Sequence, residues 1–305
     1  MKNIKVEIVT SVYNRRSITL QFLKSLSRID RRGLEIHTIV VDDGSTDGTE
    51  DAVREQFPEV EIIKGDGNLW YTAGTNRGIE AAIKYEPDYV LCVNNDSIFE
   101  EKSVRAMVEC AQTHPGSVIG ALLLLWDQPH RIFQVSPEWK TTLGGWRHWY
   151  KQTIWTVPKK PWRVELIVGN CVLFPVRAIK QCGLMDEKRL VQYGDAEYTP
   201  RMRKKGWQLL IEPGARVFCK PNDVPPRLRR MPLKKLFTTL FLDKYNPHGL
   251  RRRFYVNLLG APNKLQGILA FFIFFLRVFL GKSIEKNDLS EEPPLAEKFA
   301  DKMVT

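Results

Sequence analysis

With 305 residues, 43% of them hydrophobic and 27% charged, the chain is long enough to bury a substantial core and too apolar to remain unfolded. Its 46 Lys and Arg against 35 Asp and Glu leave a formal charge of +11, which favours an anionic partner such as phosphate, nucleic acid or acidic lipid. Five cysteines, Cys92, Cys110, Cys171, Cys182 and Cys219, form an odd set without a CxxC pair and argue against a disulfide framework or a zinc site.

The first residues enter an alternating strand pattern directly, without the apolar h-region of a signal peptide, so the expectation is an unexported, cytoplasmic protein. Residues 5–11, 36–41, 60–63 and 89–93 read as strands, and 18–26, 49–57 and 75–85 as the helices between them. This alternation predicts βαβ units and a mostly parallel sheet. Three strands run into polar clusters: Ser11-Val12-Tyr13-Asn14, Asp42-Asp43-Gly44-Ser45 and Asn94-Asn95-Asp96-Ser97. Ligands of open α/β sheets bind beyond the carboxyl ends of the strands, so the clusters are expected to converge on one pocket.

Further along, 103–111 reads as a helix, 118–125 as a buried strand, 166–175 as another core strand and 196–206 as a helix ended by its glycine. Residues 126–163 hold six tryptophans and Gly144-Gly145, expected as loops and short strands walling the pocket. Past the Pro-rich 221–226, residues 227–253 carry nine Lys and Arg against Asp243 alone. Nine apolar residues in a row follow at 268–276. A helix over 265–280 would be roughly 24 Å long, short of the ~30 Å hydrocarbon core, which predicts a helix lying in a membrane interface. Nucleic acid is the weaker partner for the basic run, which lacks a recognisable binding motif. The chain therefore divides into an α/β unit at 1–220, a basic, amphipathic membrane-associating region at 221–283, and a polar tail at 284–305 expected to be disordered.

Gly65-Asp66-Gly67 lacks the third glycine of a dinucleotide loop, and Gly281-Lys282-Ser283 lacks the upstream glycine of a P-loop, which leaves dehydrogenases and P-loop NTPases without support. What remains is a set of carboxylates. At a strand end, Asp43 suits acceptance of hydrogen bonds from a base or ribose. Asp96, beside Asn95 and Ser97, suits a hard divalent cation on a diphosphate. Asp195, opening a helix without an adjacent cation in sequence, suits a general base. Each has a structural alternative: Asp42 and Asp43 as turn and capping residues, Asn95-Asp96 as a strand-end turn, and Asp195 as an N-cap or helix-dipole partner. Glu197 is the next candidate base.

The segments Ile8 to Arg15, Val40-Val41-Asp42-Asp43-Gly44-Ser45-Thr46-Asp47-Gly48-Thr49, Gly65 to Gly78, Val93-Asn94-Asn95-Asp96-Ser97, and Gly194-Asp195-Ala196-Glu197 with Arg201 resemble glycosyltransferase family 2 enzymes of the GT-A fold, particularly the bacterial rhamnosyltransferase-like branch. The resemblance spans residues 5–220. It implies a GT-A nucleotide-sugar-binding α/β fold, with a basic, partly apolar helical extension after it. By that resemblance Ser11, Tyr13 and Asp43 hold the nucleoside and Asn76 and Asn95 line the donor site. Asp96 stands where the family's DxD motif delivers its metal-binding aspartate, and Asp195 is the base. The implied reaction is inverting and dependent on Mg²⁺ or Mn²⁺. It moves one sugar from a nucleotide-sugar donor to a hydroxyl of a lipid-linked or polysaccharide acceptor, at an anionic membrane surface on the inner face of the cell membrane, with no nucleic acid expected. The chain departs from the family pattern in three places. Gly194-Asp195 replaces the usual Glu-Asp pair, Cys219 stands where a histidine is often found, and the Gln-x-x-Arg-Trp motif of processive synthases is absent. The alternative is a non-catalytic module of the same fold that binds a nucleotide or glycan.

Overall fold

The computed structural model describes residues 3–149, 151–220, 228, 231–243, 246 and 248–280. In chain order, β1 (Ile4–Val12), α1 (Arg16–Leu26), β2 (Leu34–Asp42), α2 (Thr49–Gln56), β3 (Glu61–Lys64), α3 (Trp70–Ile83) and β4 (Tyr89–Val93) form the expected alternation. They are followed by β5 (Ser97–Phe99), α4 (Ser103–Thr113), β6 (Ser117–Leu125), a hairpin of β7 (Val135–Lys140) and β8 (Gly145–Trp149), β9 (Trp162–Arg163), β10 (Cys171–Pro175), α5 (Val176–Cys182), α6 (Asp195–Lys204) and β11 (Gln208–Cys219). The C-terminal part comprises α7 (Leu233–Phe237), a π-helical turn at Thr238–Leu242, α8 (Leu250–Gly260) and α9 (Lys264–Phe279).

The main sheet has the order β3-β2-β1-β4-β10-β6-β11-β5, with β9 on β11. β1 pairs in parallel with β2 on one side and β4 on the other, so the winding reverses at β1 and the first four strands end at one edge of the sheet. That reversal opens the crevice in which such sheets bind ligands. β10 is antiparallel to β4 and β6, while β11 runs parallel to β6 and antiparallel to β5. Alternate residues supply the two halves of the core, as a period of two requires. Val6, Ile8, Leu91 and Leu173 belong to the core half that also holds Phe22, Leu23 and Leu26 of α1 and Val104 and Met107 of α4. Val9, Val90, Val172 and Phe174 belong to the other half, with Ile79 of α3, Ile179 of α5 and Met202 of α6.

Three departures from the sequence expectations shape this architecture. Only Cys171–Pro175 of the apolar run 166–175 forms a strand. The N–H groups of Ile167 and Gly169 are donated instead to Thr199 Oγ1 at 3.1 Å and Asp195 Oδ2 at 2.8 Å, both on α6. The tryptophans of the middle segment do not all line a pocket: Trp139 and Trp146 are buried, meet edge to face at 5.0 Å and underlie the C-terminal helices. Part of the basic run points inward. Arg252 is 6% exposed and Arg253 lies 3.7 Å over the Phe274 ring while donating to Gly144 O. Arg227, Arg229, Arg230 and Lys244 of that run, and the tail expected to be disordered, lie outside the described residues.

The C-terminal helices are seated on the rest of the molecule. α8 packs on α6, and α9 on α8 and the 3₁₀ turn Thr141–Leu143. Ala261 and Ala270 join the main core, and Asn263 caps α9 by accepting the Gln266 N–H. Among the described residues no helix is long and apolar enough to cross a membrane.

The approach of α3 to the sheet depends on two glycines one helical turn apart, Gly74 and Gly78. A Cβ at Gly74 would overlap the Ser11 side chain, and one at Gly78 would overlap Val9 Cγ1 with Val41 Cγ2 only 3.3 Å away. Val9 and Val41 are fully buried and β-branched, so neither has a rotamer into which to retreat. Gly78→Ala should therefore lower unfolding free energy by ~1–3 kcal/mol, the usual range for overpacking. The measurement is the urea midpoint at unchanged m-value, and an unshifted midpoint would mean that α3 can ride outward freely.

Candidate functional site

The loops after β1, β2, β3 and β4 meet at the sheet edge and brace one another through side-chain acceptors. After β1, Asn14 donates its backbone N–H to Ser45 Oγ at 2.9 Å, and its side-chain oxygen accepts the Thr46 N–H at 2.7 Å. Asp47 accepts the Arg16 N–H at 2.9 Å. Asp42 accepts the Ser45 N–H at 2.8 Å and so folds its own turn. This cross-bracing fixes Ser11, half-buried beside Gly74, and Tyr13, 54% exposed at the rim.

Asp43 is buried, and its carboxylate accepts three backbone N–H groups of the loop after β3. Oδ1 takes Gly67 at 2.9 Å and Leu69 at 3.1 Å, and Oδ2 takes Trp70 at 2.9 Å. The bond to Trp70 holds that residue at φ +56°, a conformation an indole side chain rarely adopts. It also explains why α3 begins at Trp70, five residues before the apolar periodicity suggests. The structure thus shows the turn-forming role of Asp43, a side chain that shapes the loop after β3.

Asn76 and Asn95 are both buried, with amides engaged inside the protein. Asn76 donates to Met185 O at 3.0 Å and Glu187 Oε2 at 2.7 Å and accepts the Met185 N–H, tying α3 to the segment before α6. Asn95 donates to Thr19 Oγ1 at 2.9 Å, tying the loop after β4 to α1. Asp96 follows it. Its Oδ2 pairs with Arg15 at 3.1 Å, while Oδ1 is buried without a hydrogen-bond partner among the described residues.

An unpartnered, buried carboxylate oxygen beside a ligand crevice fits a divalent cation. Among the described residues no group of three or more His, Cys, Asp or Glu side chains is placed to hold an ion, but Mg²⁺ bound with phosphates needs only one or two carboxylates, water completing the shell. Cys219 lies opposite Ser97 in the β5–β11 ladder, next to Asp96. Burial and the Asp96 charge push its thiol well above the ordinary range.

Asp195 is the first residue of α6 and half-buried. Burial pushes its carboxyl above the ordinary range, against the N–H groups of Gly169, Asp195 and Ala196, which stabilise the charged form. Tyr71 is its neighbour. The phenol donates to Gly169 O at 3.2 Å, and burial together with the Asp195 charge pushes it up. One residue on, Asn170 O accepts the Asn94 N–H at 3.0 Å. A continuous path of two hydrogen bonds and one short stretch of backbone therefore joins the Asp195 carboxylate to the loop that carries Asp96. Glu197 differs: it is buried, accepts from Arg201 at 2.9 Å and the Asp186 N–H at 3.1 Å, and braces the segment that Arg201 also ties through Cys182 O and Leu184 O. Arg15, Tyr71 and Gly169 are the site residues to which sequence reasoning assigned no part. Arg15 and Tyr71 had a signal in their place within the segments Ile8 to Arg15 and Gly65 to Gly78 that carry the resemblance, whereas Gly169 carries none.

The model of the family described as Glycosyl transferase family 2 matches residues 7–180. Over 220 residues the chain is 27% identical to the N-acetylglucosaminyl-diphospho-decaprenol L-rhamnosyltransferase of Mycobacterium tuberculosis, covering 65% of this chain and 70% of that one. Among solved structures it is similar to GalNAc-T7 with UDP, GalNAc and Mn²⁺, with a TM-score of 0.59 at 11% identity over 88% of this chain and 54% of that one. It is also similar to S. aureus TarS 1–349 in complex with UDP-GlcNAc, at a TM-score of 0.56 and 14% identity over 95% and 76%. A third likeness is to the mannosyltransferase PcManGT from Pyrobaculum calidifontis with GDP-Man and Mn²⁺, at a TM-score of 0.53 and 15% identity over 98% and 79%. The mostly parallel sheet, the crevice at its reversal and these likenesses give the chain the GT-A fold. The family model covers more than half of the chain, including every loop of the site except the Asp195 turn, and the protein belongs to glycosyltransferase family 2.

Proposed function

We propose that this glycosyltransferase moves a single sugar from a nucleoside-diphosphate donor to a hydroxyl of a lipid-linked acceptor in glycan synthesis, by one inverting displacement. The observation that carries the reading is Asp195: a half-buried carboxylate with raised proton affinity, hydrogen-bonded into the same backbone path as the carboxylate with an unpartnered oxygen, Asp96. Raised affinity is what a general base needs. In the reaction the acceptor hydroxyl gives its proton to Asp195 as its oxygen bonds to the anomeric carbon. The bond from that carbon to the diphosphate breaks on the opposite face, and the nucleoside diphosphate leaves with the electron pair. Mg²⁺ or Mn²⁺ at Asp96 would neutralise charge on the diphosphate. Arg15 holds the second oxygen of that carboxylate. Ser11 and Tyr13 contact the nucleoside, and Asp43, Asn76 and Asn95 support the donor site from behind by fixing its loops. The rhamnosyltransferase relative's name supports a lipid-diphosphate-linked acceptor and rhamnose as the first donor sugar to try.

A lipid-linked acceptor calls for a membrane-facing surface, and we assign it to α9 on the inner face of the cell membrane. Leu265, Leu269, Phe272, Leu276 and Phe279 are exposed along one stripe of that helix, with Lys264 exposed at its start. Lys234, Lys235 and Arg251 are exposed on the neighbouring segments. Basic residues near an anionic surface add about 1 kcal/mol each.

Asp96→Ala should abolish metal-supported donor binding, read by calorimetry with UDP, GDP and dTDP in Mn²⁺, since the diphosphate charge is then uncompensated. Retained metal-dependent affinity would move the cation elsewhere. Asp195→Asn should leave that binding intact and lower transfer by roughly 10²–10⁴-fold, and a wild-type rate would remove the residue from the base role. The same substitution should raise the melting temperature at pH 7. The folded carboxyl binds protons more tightly than the unfolded one, so its stabilising contribution is full at acid pH and lost as pH rises through its folded value. The advantage of the Asn variant should accordingly shrink on acidification, and a constant difference would mean that burial does not penalise the charge.

For the membrane surface the expectation is flotation with phosphatidylglycerol vesicles, weakened but not eliminated by salt because apolar contact is unscreened. Leu269→Glu with Phe272→Glu should eliminate it. A protein that stays in the aqueous phase with anionic and neutral vesicles alike would refute the assignment.

A further inference from the structure

We infer that Arg252, on α8, is a positioning residue for Asp195, so that the C-terminal helices complete the catalytic site as well as carrying the apolar stripe. The inference rests on the reading of Asp195 as the base. Arg252 is the middle of three consecutive arginines and the only one of them that is fully buried. A buried guanidinium needs compensation, and besides the negative charge of Asp243 this one finds it in the residues just before Asp195. Its Cζ lies 4.5 Å from the centroid of the Tyr193 ring, and its Nη1 donates to Gln192 Oε1 at 3.4 Å.

Those contacts bear on the base through the backbone. Tyr193 sits at φ +64°, a left-handed conformation unfavourable for an aromatic residue, which persists only where surroundings hold it. Its carbonyl accepts the Ala196 N–H at 3.1 Å and so starts α6. The next residue, Gly194, is fixed from the other side. Its N–H donates to Thr72 Oγ1 at 3.3 Å, and a Cβ there would strike Thr72 and Met185. The Asp195 turn is thus clamped between α3 and α8, with Arg252 as the α8 jaw. That jaw is rigid, because Lys204 of α6 donates to Leu259 O at 2.9 Å and Gly260 lies against Ala196 O too closely to admit a Cβ. A general base displaced by about 1 Å loses rate on the order of 10²-fold while leaving donor contacts alone.

The test compares Arg252→Met, Arg252→Lys, Tyr193→Ala and, as a control on the same helix, Arg253→Met. Hydrogen–deuterium exchange of the unliganded full chain needs no substrate. Arg252→Met and Tyr193→Ala should speed exchange in residues 190–198 and leave α4, residues 103–113, unchanged, and Arg253→Met should spare both segments. In transfer assays with UDP-, GDP- and dTDP-sugars and a polyprenyl-diphospho-N-acetylglucosamine acceptor, Arg252→Met should lower kcat about 10²-fold at unchanged donor KM. Lys should restore part of it, since the ammonium keeps the charge over the ring but lacks the fork. The double variant with Tyr193→Ala should be no worse than either single one. If Arg252→Met fails to fold, Tyr193→Ala reads the same contact from the other side. Unchanged exchange in 190–198, or equal effects from Arg253→Met, would overturn the inference. Asp195→Asn run alongside keeps the two readings apart: an active Asn variant sinks the base, whereas an inactive one with fully active Arg252→Met sinks only the positioning role.

Discussion

The hydrogen bond from the Gly169 amide to the Asp195 carboxylate organises the centre of this molecule. To make it, residues 167–170 stay out of the β ladder, and Ile167 and Gly169 donate sideways to α6. Gly169 must be glycine there, since a Cβ would strike Tyr71 Oη and the Asp195 side chain. On one side the bond fixes the start of α6, and on the other, through Asn170 and Asn94, it reaches the loop of Asp96. A carboxylate that accepts amides from a distant segment is a strong, directional anchor, and here it joins the two halves of the site, which are about a hundred residues apart in sequence.

Asp195 and Glu197 show how two acids on one helical turn take different parts. Both are pushed up by burial, yet Glu197 faces Arg201 and the Asp186 amide, whereas Asp195 is compensated by backbone N–H groups alone. Glu197 is spent as a brace, and its removal would leave the half-buried Arg201 without its carboxylate partner. The side chain without a counter-cation keeps the chemical freedom to exchange a proton.

Before residue 125 the strands other than β5, and the helices apart from the start of α3, were legible because each is specified locally: a period of two for β1 to β4, a period of 3.6 for α1, α2 and α4, and turn residues where the strands end. The polar clusters told which edge of the sheet would bind, because the parallel winding brings the ends of β1, β2 and β4 together. What was not legible depends on distant partners. The run 166–170 is as apolar as a strand, and nothing in it announces Thr199 and Asp195. Resemblance assigns Asn76 and Asn95 to the donor site, but nothing in the sequence announces that their amides turn inward. A run of arginines has the same composition whether it faces solvent or, like Arg252 and Arg253, lies on aromatic rings contributed by Tyr193 and Phe274. Burial of a cation is decided by what folds against it, and that information is spread over the chain.

Among the described residues, three of the four non-glycine positions with left-handed backbone, Asn14, Trp70 and Tyr193, stand at the loop–helix junctions of the site, ahead of or at the first residue of α1, α3 and α6. Each is held there by a side chain from another loop or helix: Asn14 by Ser45, Trp70 by Asp43 and Tyr193 by Arg252. The unfavourable torsion is thus met during folding rather than on binding. A crevice whose rims are already locked has little backbone freedom left to surrender when a ligand enters, so more of the interaction with the nucleotide is expressed as affinity. Calorimetrically, such a site binds with a small entropic penalty, as a mould that is set before it is filled.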